Sequence, residues 1–197
     1  MDFDHKKATQ CLNHFVLKEG GQIDRLKALK LVYLADRYHL RKYGRLITND
    51  MYFAMRLGLV ASTTENISEG SEYLGLAEKQ YSSQYFCLKS NHNLVSLNPV
   101  DYDVFSDSDV EALDFAWDTF GSLDNFTLSD LTHKYPEWAK NEQTFKMNPR
   151  ARIQIQKEEF LDDPAREIEK CFDLTDEDKG NLREYLKETD YIESLWR

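Results

Sequence analysis

Between Asp4 and Lys18, the apolar residues Ala8, Cys11, Leu12, Phe15 and Val16 recur at helical spacing, which predicts a first amphipathic helix. Gly20-Gly21 is its natural stop, because glycine tolerates positive φ. Asp24 then caps a longer segment in which Leu26, Leu29, Tyr33, Leu40 and Tyr43 repeat every three to four residues until Gly44. Leu31, Val32, Leu34 and Ala35 widen the apolar face so far that this helix is expected to run through the centre of the fold.

After Gly44 the pattern changes. Met51-Tyr52-Phe53-Ala54-Met55 is too short and too uniformly apolar for periodicity to separate a helix from a buried strand. Residues 62–80 are mostly polar and interrupted by Gly70 and Gly75, as in a weak helix or an ordered surface loop. β-favouring runs at 85–88 and 94–97 flank Ser90-Asn91-His92-Asn93 and predict a small hairpin closed by Pro99. Ser106 or Ser108 is the expected cap of a helix carrying Val110, Leu113, Ala116, Trp117 and Phe120. Ser108 and Glu111 have capping-box spacing there, and Gly121 marks the end.

Thr127 with Asp130 opens a short helix over 128–134, stopped by Pro136, with Trp138 packing back. Asp163-Pro164 is expected to start another helix through Ile168 and Phe172, and Thr175 with Asp178 a last one through Leu182, Tyr185 and Leu186. The sum is a mainly α, α+β class fold with one small antiparallel hairpin or sheet. No internal repeat or low-complexity linker marks a boundary, so one domain over residues 1–197 is expected.

Composition agrees: 197 residues at 41% hydrophobic content suffice for one sizeable core. Thirty-five acids against twenty-five Lys and Arg give a net charge of −10, a poor footprint for gripping phosphates and a better one for a basic partner. The charge is uneven. Residues 25–46 hold seven Lys and Arg against one acid, and residues 157–193 hold fourteen acids against six bases. Either the acidic C-terminal stretch lies against the basic central helix, or both are solvated faces. Cys11, Cys87 and Cys171 are widely spaced and odd in number, which indicates neither a disulfide framework nor a zinc site. The first residues lack a signal-like apolar stretch, and no window approaches the ~18 apolar residues of a membrane span. A soluble, cytoplasmic, unprocessed protein with no membrane partner is the expectation.

Candidate chemistry is sparse. Asp36, Arg37 and His39 are the nearest thing to a catalytic or metal cluster, but successive helix positions point around the cylinder, so a structural reading is preferred. Asp36 is expected to be buried and to accept from a tyrosine hydroxyl or from backbone near 50–56. His133 is read as a structural histidine bonded near its turn, and His5, His14 and His92 have no companions at ligand spacing. G-x-S-x-G, a Walker loop and H-E-x-x-H are all absent, which favours a binding protein over an enzyme, with no metal and no cofactor. Tyr33, Arg37, Tyr38, Arg41, Tyr43, Tyr52 and Arg56 form a Tyr- and Arg-rich stretch of the kind that makes interaction hot spots; Arg41, Tyr43, Arg45, Tyr52 and Arg56 are the candidate partner-binding residues.

The run Leu29-Lys30-Leu31-Val32-Tyr33-Leu34-Ala35-Asp36-Arg37-Tyr38-His39-Leu40-Arg41-Lys42-Tyr43-Gly44-Arg45 resembles the signature helix of the Panacea-domain (SocA-like) antitoxins. Asp50 to Gly58 is similar to that family's next motif, an acid, an aromatic, an alanine and Gly-Pro, with Leu59 standing where the family has proline. Phe105 to Gly121, then Leu128-Ser129-Asp130-Leu131-Thr132-His133 and Trp138, extend the likeness over about residues 25–138. The resemblance marks Lys30, Tyr33, Asp36, Gly44, Asp50, Ala54, Gly58, Thr132 and His133 as motif residues with structural roles. It implies an antitoxin of a two-gene toxin–antitoxin pair, whose partner is the cognate protein toxin. Some family members act instead as proteolytic adaptors, which would add a protease as partner. A DNA-binding autoregulator rests only on the basic segment 25–46, and the net charge disfavours nucleic acid. Residues 59–80, beside the departure at Leu59, are where partner specificity is sought.

Overall fold

The computed structural model describes residues 3–89, 92–165 and 167–195. Helix α1, His5–Lys18, begins at Asp4, whose carboxylate accepts from the backbone N–H groups of Lys6 and Lys7. It ends at Gly20 and Gly21, with φ of 94° and 98°. Strand β1, Gln22–Asp24, leads directly into α2, Arg25–Tyr43, where Asp24 accepts from the N–H of Lys27 and Gly44 closes the helix at φ 76°. Every residue of α2 from Lys27 to Arg41 is buried, polar ones included, so the helix is the axis of the fold. It packs most extensively against α5, Asp107–Phe120, and also against α1.

The ambiguous stretch after Gly44 is a hairpin of β2, Tyr52–Met55, and β3, Gly58–Ala61, paired antiparallel with Ala54 opposite Leu59. Strand β6, Ile153–Ile155, adds to the other edge of β2, giving a sheet of order β3-β2-β6. The predicted hairpin is β4, Phe86–Lys89, and β5, Asn93–Ser96, and β1 joins it in the order β1-β5-β4. Its turn residues Ser90 and Asn91 lie outside the described residues. Among the described residues two three-stranded sheets therefore replace the single one expected, because β1 and β6 are three residues each and carry no readable period. The polar stretch 62–80 resolves into α3, Ser62–Glu69, and the start of α4, Leu76–Tyr85. Ile67 on α3 is buried, so this stretch is not wholly superficial.

Three cap and boundary expectations change. The box that opens α5 is Ser106 with Asp109, not Ser108 with Glu111. Helix α6, Asn125–Thr132, starts earlier than expected because Asp124 accepts from Phe126 and Thr127, which displaces Thr127 as cap. Pro136 starts a helix as well as ending one: it occupies the first turn of α7, Pro136–Ala139, followed by α8, Glu142–Met147.

The expected helix after Asp163-Pro164 does not form. Among the described residues 163–172 are irregular, and Cys171 and Phe172 both adopt positive φ, 55° and 88°. Asp163 cannot serve as a helix cap there because Arg41 and Lys179 hold its carboxylate. The Thr175–Asp178 box does open the last helix, α9, Asp176–Ser194. The acidic C-terminal stretch touches α2, but mainly through backbone. Arg41 donates to the carbonyls of Phe160, Leu161 and Phe172, and Asp163 is the acid that pairs with it.

Candidate functional site

α2 carries six buried polar or charged residues, Lys27, Lys30, Asp36, Arg37, His39 and Arg41, and they tie it to several neighbouring segments. Lys30, fully buried, donates from Nζ to the carbonyl of Leu59 at 2.9 Å. Burial lowers its pKa to about 7. Gly58 makes room for it: φ is 108°, and a Cβ there would lie 2.6 Å from Lys30 Nζ and 3.0 Å from Thr132 Oγ1. The same turn is held by Ser129 Oγ donating to Leu57 O and by Trp138 Nε1 donating to Met55 O. Leu59, the residue in place of proline, is buried in β3. His133 stacks on Trp138 with ring centroids 3.8 Å apart, and burial lowers its pKa.

Nearly two turns on, Asp36 accepts from Ile47 N at 2.6 Å, Thr48 Oγ1 at 2.9 Å and Tyr52 Oη at 2.8 Å. Burial raises its pKa to about 6 despite these donors. Asp50 works in the same way on α3, whose own first residues offer no side-chain cap. It accepts from the N–H groups of Thr63 and Thr64 and from Thr64 Oγ1. Ala54 lies in β2 with no exposure, opposite Leu59 and Ile153.

Tyr33 and Arg37 converge on Glu137. The tyrosine donates to Oε1 at 2.6 Å, and the guanidinium pairs with the same oxygen while lying over the Tyr135 ring. Arg37 also donates to Asp162 O at 2.7 Å. His39 bonds through Nδ1 to Arg45 O and through Nε2 to Ser108 Oγ, and burial lowers its pKa. Asp36, Arg37 and His39 therefore never face a common space, and each joins α2 to another segment.

The five candidate partner-binding residues separate. Arg41 and Tyr52 are buried and hold internal groups, so the surface role expected of them gives way to a framework role. Tyr43 and Arg45 stay partly exposed next to α5: Tyr43 Oη donates to Glu111 at 2.6 Å and Arg45 pairs with Asp109 at 2.7 Å. Glu111 also takes Lys42 and the Tyr38 hydroxyl, and these bonds hold its pKa down to about 2. Arg56 is exposed in the β2–β3 turn, which is tied to α6. Sequence reasoning missed Glu137 and Asp109, both fully buried. Asp109 could have been found three residues after Ser106 as the partner in its capping box; Glu137, with only Pro136 before it, had no such signal.

A family profile described as antitoxin SocA-like, Panacea domain, matches residues 29–139. The chain belongs to this Panacea-domain family. The match runs from α2 to the end of α7 and contains Lys30, Tyr33, Asp36, Arg37, Arg41, Gly44, Asp50, Gly58, Thr132 and Glu137. The matched segment begins within the buried axis α2, whose polar residues bond to the neighbouring segments. No curated protein and no solved structure gives a significant match to the chain.

Proposed function

We propose that the chain acts in the cytoplasm as an antitoxin, in one unit spanning residues 1–197, and neutralises a protein toxin encoded beside it by stoichiometric complex formation without turnover. Membership of the antitoxin-like Panacea family carries this reading. Its support from geometry is that Asp36, Arg37 and His39, the side chains best suited to chemistry, are buried and engaged by the scaffold. The basic segment 25–46 lends little to a nucleic-acid surface, since Lys30, Arg37 and Arg41 are all fully buried. An acidic protein of net charge −10 instead suits a basic partner.

The test is expression of the neighbouring open reading frame alone and together with this chain. Toxicity alone, rescue on co-expression and inhibition that saturates at a fixed molar ratio are expected. Rescue that disappears in cells lacking one cytoplasmic protease would replace direct neutralisation by an adaptor role. Sub-stoichiometric rescue in a purified system would refute the absence of turnover.

A further inference from the structure

Helix α9 has an inner face that holds it to the body and an outer face that nothing covers among the described residues. On the inner side Leu186 is buried, Leu182 and Tyr185 pack on Gly44, and Lys179 pairs with Asp163 at 2.8 Å. On the outer side Glu177, Glu184, Glu188, Tyr191 and Leu195 follow one another at intervals of three, four or seven, which places them along one stripe. The three glutamates are exposed and make no ion pair among the described residues. Tyr191 and Leu195 are 65% and 64% exposed, and Ile192 beside them is 49% exposed. Beneath these last turns lies a cleft of about 290 Å³, lined by Asp190, by the exposed Met51 and by Phe160 on its floor.

We infer that this outer face of α9 is the docking surface for the toxin, and that it receives a basic protein surface bearing exposed apolar side chains. The inference rests on the antitoxin reading and names where the partner sits. Aromatic and aliphatic side chains left in water at one end of a helix, next to unpaired carboxylates, are the composition of an interface core with a charged rim. The carboxylates select the occupant. Nucleic acid and an anionic lipid surface would both bring negative charge against them. A second copy would set the glutamates against themselves or against the apolar end, between two chains of net charge −10. A basic protein surface meets both halves of the stripe. α9 also lies wholly outside the matched residues 29–139, so it is free to differ between relatives whose shared scaffold is α2 and its attachments.

The test uses the full chain and the purified product of the neighbouring open reading frame. Two variants, Tyr191→Ser/Ile192→Ser/Leu195→Ser and Glu184→Lys/Glu188→Lys, are each expected to weaken binding by about tenfold or more. Helical circular dichroism and thermal midpoint should stay near those of the parent, since Leu186 and Lys179 are untouched. The charge reversal should also flatten the salt dependence of binding. Should the serine variant lose its helix, the charge reversal decides alone. Parental affinity and parental salt dependence in the charge-reversed chain would overturn the inference while leaving the antitoxin reading intact. A neighbouring product that is harmless when expressed alone would overturn both.

Discussion

Adding one methyl group at Gly58 should be among the most damaging small changes to this protein. At φ 108° a residue with a Cβ is strained, at a cost of about 1–3 kcal/mol. In Gly58→Ala the new Cβ would stand 2.6 Å from Lys30 Nζ, 3.0 Å from Thr132 Oγ1 and 3.1 Å from Lys30 Cε. A lysine end group normally swings away from such a contact. Here both Lys30 and Thr132 are fully buried, so the amine can only move by leaving the Leu59 carbonyl. A buried donor deprived of its acceptor costs about 1–3 kcal/mol. The sum is a loss of roughly 2–6 kcal/mol, a large part of the stability of a domain this size. Urea unfolding at neutral pH measures it as a fall in midpoint at constant slope. A double-mutant cycle with Lys30→Ala then isolates the clash: strain at φ remains, the contact with the amine does not, and a coupling of about 1–3 kcal/mol is expected. A loss below about 0.5 kcal/mol, or the same loss in both backgrounds, would refute the reasoning.

Three further outcomes are expected. Asp36 has a folded pKa raised to about 6, above its unfolded value near 4, so the native state binds the extra proton and stability should fall as pH rises from about 4 to about 6. Asp36→Asn should remove that slope and lower stability by about 1–3 kcal/mol by spoiling the bonds to Ile47, Thr48 and Tyr52; an unchanged acid limb in pH-dependent denaturation would contradict it. Lys30 has a folded pKa lowered to about 7, below its unfolded value near 10.4, so stability should rise from about pH 7 to about pH 10, and Lys30→Met should abolish that rise. Arg41→Met should cost about 2–5 kcal/mol by orphaning the carbonyls of Leu161 and Phe172, while Asp163 keeps Lys179 as its partner. Hydrogen exchange of this variant should show residues 160–165 and 167–172 opening first, and uniform exchange across the described residues would count against the clamp.

The sequence by itself determined the helices that carry their own signals. α1, α2 and α9 begin at Asp4, Asp24 and Thr175, and α1 and α2 end at glycines at positive φ, because caps and stops are interactions within a few residues. The central place of α2 was also legible, since so wide an apolar face is stable only with neighbours on every side. Asp36 could be expected to bind a tyrosine because a buried carboxylate needs donors, and Tyr52 supplies one.

Tertiary structure alone decided what the Tyr- and Arg-rich stretch does. Arg41 and Tyr52 have the composition of interface residues, yet packing turns both inward, and no local rule distinguishes an arginine that clamps carbonyls from one that meets a partner. The irregular course after Pro164 was hidden for the same reason. An Asp-Pro helix start is a local preference of about 1 kcal/mol, and it loses to Arg41 and Lys179, which come from elsewhere in the fold to hold Asp163. Strands β1 and β6 exist only because β5 and β2 offer them an edge, an offer that three residues of sequence cannot announce.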